Sequence, residues 1–263
     1  MKITADIPYS APDPATGQGL CLDVYGPESQ SRPTTVLFAH GGGFARGERK
    51  NADARAFAER FTDQGYGFAA LSYRLNTPLG DFTQERQDSI LAMMTRTKES
   101  GLTLNARLYG PAFFAALQDG AAAVRYLRGA GASLGLATQN LVWMGVSAGG
   151  ILGLSLANPP KGWAGSAARV NGVISIAGAL VHPWLLRAKS PPCLMFHGKA
   201  DRIIPVENAR LARRAAKAAG APLDLVVSPG TGHKDQTTHL RDGQDAKGQP
   251  MFTHITKFLE ALQ

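Results

Sequence analysis

Cysteine is nearly missing from this 263-residue chain, which holds only Cys21 and Cys193. Two thiols cannot build a disulfide scaffold, and each lies inside an apolar run, "LCLDVY" and "PPCLMF", where a buried free thiol is expected. Long hydrophobic runs are missing too: none approaches the roughly 20 residues that span a bilayer, so no membrane span is expected. The opening "MKITADIPYSAPDP" lacks the uninterrupted apolar core of a secretion signal. The chain as given therefore reads as cytoplasmic, the alternative being a secreted or periplasmic protein whose leader has been removed. Internal repeats and low-complexity linkers are also missing, so one domain over 1–263 is the economical reading.

Acidic residues fall short of basic ones, 20 against 28, for a formal charge of +8 and a pI near 9.7. That excess permits attraction to anionic partners. Yet the Lys and Arg residues are scattered, and the densest run, "LARRAAKAA", has the pattern of a solvated helix face. Without a recognition motif or interleaved aromatics, nucleic acid is not an expected partner.

What the chain does have is 44% hydrophobic residues arranged in alternation. "TTVLFAH", "GFAALSY", "NLVWMGV", "VNGVISIAG", "PPCLMFHG" and "LDLVVS" read as buried strands. Between and after them lie helical patterns: "ADARAFAERFTDQG", closed by Gly65, then "AFFAALQDGAAAVRYLRG", "AGGILGLSLAN", "VENARLARRAAKAAG" and "MFTHITKFLEAL". Strand and helix in turn predict an α/β fold, a mostly parallel central sheet covered by helices on both faces. Residues 76–110 are too long for a simple strand-to-helix turn, so an inserted helical segment is expected there. Asp81 is its expected N-cap with Gln84 three residues on, and Ile90, Met93, Met94 and Thr97 form its apolar stripe. The link after "ISIAG" is only about a dozen residues, too short for a large lid.

Chemistry concentrates at the ends of the strands. "GVSAGG" (145–150) follows a strand and opens a helix, the context that gives G-x-S-x-G its meaning. Gly145 and Gly149 clear space for a strained turn that projects the Ser147 hydroxyl, and the amide of Ala148 opens the helix toward a developing oxyanion. "HGGGF" (40–44) leaves bare backbone N–H groups after a strand, as an oxyanion hole requires. A phosphate cradle is the competing use of such glycines, but neither G-x-x-x-x-G-K-[ST] nor G-x-G-x-x-G is present. His40 precedes the glycines and reads as a support for the loop.

A serine hydroxyl needs a base, and the base needs a carboxylate that fixes its tautomer. "FHGKADRIIP" places Asp201 beyond a strand end, and the next strand returns the chain to the same edge, where "PGTGH" presents His233. His239 lies further on in a polar segment, His254 on the final helix, and His197 at a strand end beside the Asp201 loop. Phe44, His182, Trp184 and the insertion lie where an acyl or alcohol group could pack. Arg86, Arg96, Lys98 and Arg107 could attract a carboxylate-bearing or polyanionic substrate, and a solvated helix face explains them equally well.

HGGGF, GVSAGG, HGKAD and GTGH in this order resemble the α/β-hydrolase superfamily. The nearer likeness is to its esterase/lipase branch with an HGGG loop, which includes hormone-sensitive-lipase-like carboxylesterases and bacterial acetyl and feruloyl esterases. The resemblance runs from "LCLDVYGP" near residue 20 to the final helix. It implies Ser147 as nucleophile, Asp201 as acid, His233 as base, and the amides of Gly42, Gly43 and Ala148 as oxyanion donors. Two departures stand out. "YRLNTPLGDF" replaces the R-L-A-P-E of many such esterases and opens the insertion, and the N-terminal cap is short, as in smaller cap-poor esterases.

The expected activity is hydrolysis of small to medium carboxylic esters through an acyl-enzyme, with no cofactor and no metal. The alternatives are an amide, peptide or lactone hydrolase using the same residues, and a catalytically silent binding protein on a hydrolase scaffold. The insertion is the expected roof of the site. Oligomeric state is not legible in the sequence.

Overall fold

A computed structural model describes residues 1–11, 19–29, 31–165 and 168–263. Its centre is an eight-stranded sheet in the order β1-β2-β4-β3-β5-β6-β7-β8. Strands β3 (Thr34–Ala39), β4 (Gly67–Leu71), β5 (Asn140–Val146), β6 (Gly172–Ile176), β7 (Cys193–Gly198) and β8 (Leu223–Ser228) are mutually parallel. Strands β1 (Lys2–Pro8) and β2 (Cys21–Gly26) add an antiparallel edge through the β2–β4 pairing. This is the mostly parallel sheet that the alternation of strand and helix predicts.

Alternation along each strand divides the core into two layers, because successive side chains point to opposite faces. Val36 and Phe38 of β3, Val142 and Met144 of β5, and Leu194 and Phe196 of β7 face one cluster. Leu37 and Ala39, Leu141 and Trp143, and Cys193 and Met195 face the other. The first layer is closed by α1 (Ala52–Asp63) and α7 (Phe252–Glu260), through Phe57, Phe61, Phe252, Ile255 and Leu259, and by Leu240 of α6 (Asp235–Asp242). The second is closed by α3 (Pro111–Ala130), α4 (Ala148–Ala157) and α5 (Val206–Ala219). Each large aromatic or aliphatic side chain buried in these layers contributes about 1.5–3 kcal/mol. Helix α4 is apolar all round, and residues 148–156 are buried to match.

The insertion contains α2 (Gln84–Glu99) between two short 3₁₀ turns, Leu79–Asp81 and Ala106–Tyr109. Its N-cap is Thr83, not Asp81, which ends the first of those turns. Ile90 and Thr97 are buried, and Met93 and Met94 pack against the core, as their spacing predicts. The Thr97 hydroxyl donates to the Val181 carbonyl at 3.1 Å, and Thr103 and Asn208 exchange two hydrogen bonds of 2.9 and 3.0 Å. The insertion is thereby fastened to the loop after β6 and to α5. Cys193 is buried and free; Cys21 is free but only half-buried, because its strand lies next to the sheet edge. No described helix is long and apolar enough to cross a membrane.

Candidate active site

All the strand-end loops singled out above open at the carboxyl edge of the parallel sheet. Ser147 follows β5 in the turn to α4 with φ 53° and ψ −113°, a left-handed conformation that costs a non-glycine residue of order 1–3 kcal/mol. Its neighbours make the turn possible. A Cβ at Gly145 would lie 2.2 Å from the Gly149 carbonyl, and one at Gly149 only 2.1 Å from the Ala39 carbonyl oxygen. The turn is pinned by the Ser147 amide, which donates to the Ile176 carbonyl of β6 at 2.8 Å.

Asp201 and His233 reach this point from β7 and β8. The two loops are stitched together by the Ala200 amide on the Thr231 carbonyl at 3.0 Å, an approach that only a glycine at 198 permits, since a Cβ there would meet that carbonyl oxygen at 2.3 Å. His233 Nδ1 lies 2.7 Å from Asp201 Oδ2, and His233 Nε2 lies 2.9 Å from Ser147 Oγ. A carboxylate only accepts, so Nδ1 carries the proton and donates; Nε2 is then the acceptor for the serine hydroxyl. The three side chains form one continuous chain of hydrogen bonds from carboxylate to hydroxyl.

Asp201 is fully provided with donors. Its Oδ1 accepts from the amides of Ile203 and Ile204, both at 2.9 Å. Its Oδ2 accepts from His233 and lies 3.3 Å from His197 Nε2, which also donates to the Ile204 carbonyl at 2.7 Å. Burial pushes the Asp201 carboxyl up, but the hydrogen bonds from His197, His233 and the Ile204 amide outweigh it. They hold the group well below the usual carboxylate range. His197 thus orients the carboxylate and its loop rather than the serine.

The glycine loop after β3 faces the same turn. A Cβ at Gly41 would sit 3.4 Å from that of Ser147. Gly42 and Gly43 have φ of 114° and 66°, and a Cβ at Gly42 would lie 2.0 Å from the Arg46 carbonyl oxygen, so no other residue fits. His40 braces the loop from beneath: its ring stacks on Tyr73 at 4.3 Å, and the Tyr73 hydroxyl donates to the His40 carbonyl at 2.8 Å. The Asn76 amide donates to the Phe44 carbonyl at 2.8 Å, tying the start of the insertion to the loop. Ala148 is the first residue of α4, a position whose amide has no acceptor within its own helix.

A cleft of about 570 Å³ opens over these groups, lined by Ser147, His233, the three glycines, Val146, Leu108, Ile203, Thr237 and Asn105, with Arg46, Arg107, Lys234 and Asp53 at its walls. The residues expected to pack a substrate lie elsewhere. Phe44 is fully buried in the core, edge-on to Tyr73 and Phe113, because the left-handed turn at φ 59° drives its ring inward. His182 is buried against Phe113 and Phe114, where desolvation pushes its imidazole down to about 3. Trp184 lies beside it under the Arg96 guanidinium, which sits 4.5 Å from the ring.

Of the four insertion cations, Arg86 stacks on Trp163 and Arg96 on Trp184, while Arg107 alone lines the cleft. The insertion walls the cleft with its last turn rather than covering it with α2. His239 lies on α6, a helix not expected from the sequence, and takes no part in the hydrogen-bond chain. His254 is only half-exposed and pairs with Asp245 at 3.1 Å. Arg46, Asp53, Ile203 and Lys234 escaped sequence reasoning. Their one signal is position, since each lies within a few residues of a motif or a helix start. Among the described residues no group of three or more His, Cys, Asp or Glu is arranged to hold a metal ion.

Sheet order, strand-end turn and helical cover define an α/β-hydrolase fold. The family profile named BD-FAE matches residues 22–93. Among solved structures, a thermophilic esterase of the planctomycete Thermogutta terrifontis is similar over nearly the whole chain. Its propionate-bound form gives a TM-score of 0.72 at 22% identity, covering 99% of this chain and 94% of that one. The butyrate-bound form gives 0.70 at 21% identity, covering 98% and 94%. The form phosphorylated by paraoxon gives 0.68 at 23% identity, covering 98% and 91%. No curated protein sequence matches the chain.

Proposed function

We propose that this protein is a serine carboxylic-ester hydrolase acting on small to medium esters. The observation that carries the reading is the hydrogen-bond chain Asp201–His233–Ser147, with 2.7 and 2.9 Å links and a tautomer fixed by the carboxylate. The Thermogutta structures support it, because that protein is an esterase seen with short carboxylates and with an organophosphate adduct.

In the reaction, Ser147 Oγ attacks the ester carbonyl carbon while its proton passes to His233 Nε2. The carbonyl oxygen becomes an oxyanion and takes hydrogen bonds from the amides of Gly42, Gly43 and Ala148, which are positioned before the charge develops. His233 then gives its proton to the departing alkoxide, and the C–O bond breaks to leave the acyl-serine. Water, deprotonated by His233, attacks the acyl carbon; collapse releases the acid and returns the proton to Ser147. Asp201 stays ionised throughout and stabilises the imidazolium.

The experiment is turnover of 4-nitrophenyl acetate, butyrate and longer acyl esters by the protein and by Ser147→Ala. The variant should keep the fold, read by circular dichroism, and lose at least about 10⁴-fold in kcat. Undiminished turnover in a folded variant would overturn the assignment.

A further inference from the structure

The walls of the cleft carry charge that the reaction above does not use. Arg46, Arg107 and Lys234 line it against a single carboxylate, Asp53. Among the described residues the side chains of these three cations have no ion pair and no hydrogen bond. Other arginines of the insertion and its surroundings are engaged. Arg74 pairs with Asp119 through Nε at 2.9 Å and Nη2 at 2.8 Å, and Arg86 donates to the Gly162 carbonyl at 2.9 Å while stacking on Trp163. The cleft cations are therefore not held in place by the fold; they are available to a ligand.

Arg107 is the best placed. A Cβ on Gly43 would come 3.1 Å from its Nη2 and 3.6 Å from its Cζ and Nε, so the guanidinium lies against the glycine loop. Gly41, two residues earlier, abuts Ser147 in the same way. Cα atoms two residues apart are separated by at most about 7 Å. A molecule with its ester carbonyl at Ser147 and an anionic group a few bonds away can span the two. Arg46 also lines the cleft, its Cγ 3.2 Å from the Cβ position of Gly42, and Lys234 directly follows His233.

We propose that the cleft selects esters bearing a carboxylate, with Arg107 as the principal specificity-determining residue and Arg46 and Lys234 adding to the field. The proposal rests on the hydrolase reading above. A guanidinium presents two parallel N–H donors that match the two oxygens of a carboxylate, which a lysine cannot do. Because these walls are open to solvent, the attraction is screened by salt, over about 10 Å at 0.1 M.

The test compares kcat/KM for paired esters differing only in the charge. In one pair, 4-nitrophenyl hydrogen adipate is set against its methyl-capped form, placing the carboxylate on the acyl side. In the other, 4-acetoxyphenylacetate is set against its methyl ester, placing it on the alcohol side with a methylene that insulates the phenol leaving group from the capping. At least one pair should show a preference of about tenfold or more for the anion, the size of a charged hydrogen bond, and the preference should shrink as salt is raised. Arg107→Gln should reduce that ratio about tenfold, chiefly through KM, and Arg107→Lys should restore part of it. Lys98→Gln removes an equal charge from α2 outside the cleft and should leave the ratio as it was.

Equal kcat/KM within both pairs, in a protein that hydrolyses the neutral esters, would overturn the proposal and spare the hydrolase reading. So would an anion preference that Arg107→Gln leaves intact. No turnover of any of the four esters would overturn the hydrolase reading, and the proposal with it.

Discussion

The two sides of the cleft treat charge in opposite ways. On the strand-end side, the buried carboxylate of Asp201 meets two backbone amides and two imidazoles, so its charge is fully answered within the protein. On the side formed by the glycine loop and the end of the insertion, the exposed Arg46 and Arg107 line the cleft with no ion-pair partner among the described residues. The first arrangement is preorganised: groups held by packing and hydrogen bonds need no rearrangement when charge develops on the substrate. The second is unsatisfied, and the proposal is that it serves selection among substrates rather than rate. A second buried carboxylate sharpens the contrast. Asp119 accepts from Arg74, yet burial outweighs that pairing and pushes its carboxyl up, whereas hydrogen bonds from His197, His233 and the Ile204 amide outweigh burial at Asp201 and hold it down.

The largest way to break the comparison is Asp201→Asn. The amide oxygen stays with the Ile203 and Ile204 N–H groups, so the NH2 takes the place of Oδ2 and donates to His233 Nδ1; the imidazole is held in the wrong tautomer, and kcat should fall about 10⁴-fold. A loss of only a few fold, by stopped-flow or steady-state turnover, would mean that the strand-end side is not preorganised around this carboxylate.

The next effect is on stability. The folded carboxyl is depressed, so the unfolded chain binds a proton first as pH falls, near the ordinary aspartate value of about 3.9. The stabilisation Asp201 provides is therefore fully present above that value and is lost as pH drops toward the folded pKa. Urea midpoints for the native protein should fall steeply between about pH 5 and pH 2, and Asp201→Asn should flatten that acid limb. An unchanged slope would show that the carboxylate is not held ionised by its donors.

The smallest effect is expected from His239→Gln on α6, outside the hydrogen-bond chain. Activity and stability should stay within about twofold of the native values, the range of most surface changes. A large loss of activity would return His239 to consideration as a base.

How much of this could be read in the sequence follows the same division. The parallel strands and the helices between them were legible because strands buried on both faces appear as short continuous apolar runs. Ser147, Asp201 and His233 were legible as candidates because the chemistry demands those residue types in a given order at strand ends. β1 gives no strand signal, because it is exposed and lacks an apolar run, and β2 shows in the sequence only as the short apolar run "LCLDVY". α6 was hidden by its polar sequence, "DQTTHLRD", since it buries little more than Gln236, Thr237 and Leu240. The walls of the cleft were the least legible part. Arg107 has the same composition signal as Arg86 and Arg96, and only the fold separates the arginine against Gly43 from those laid on Trp163 and Trp184. Phe44 misled for a related reason: its place after the glycines puts it near the site in sequence, while a positive φ turns its ring into the core.

The central claim is that Ser147 is a nucleophile activated by His233. Reaction with a fluorophosphonate probe, followed by intact mass and peptide mapping, tests it most directly. The account predicts one adduct per chain, on Ser147, lost in both Ser147→Ala and His233→Ala while the two variants remain folded. No adduct on the native protein, or an adduct that persists in folded His233→Ala at the native rate, would contradict it.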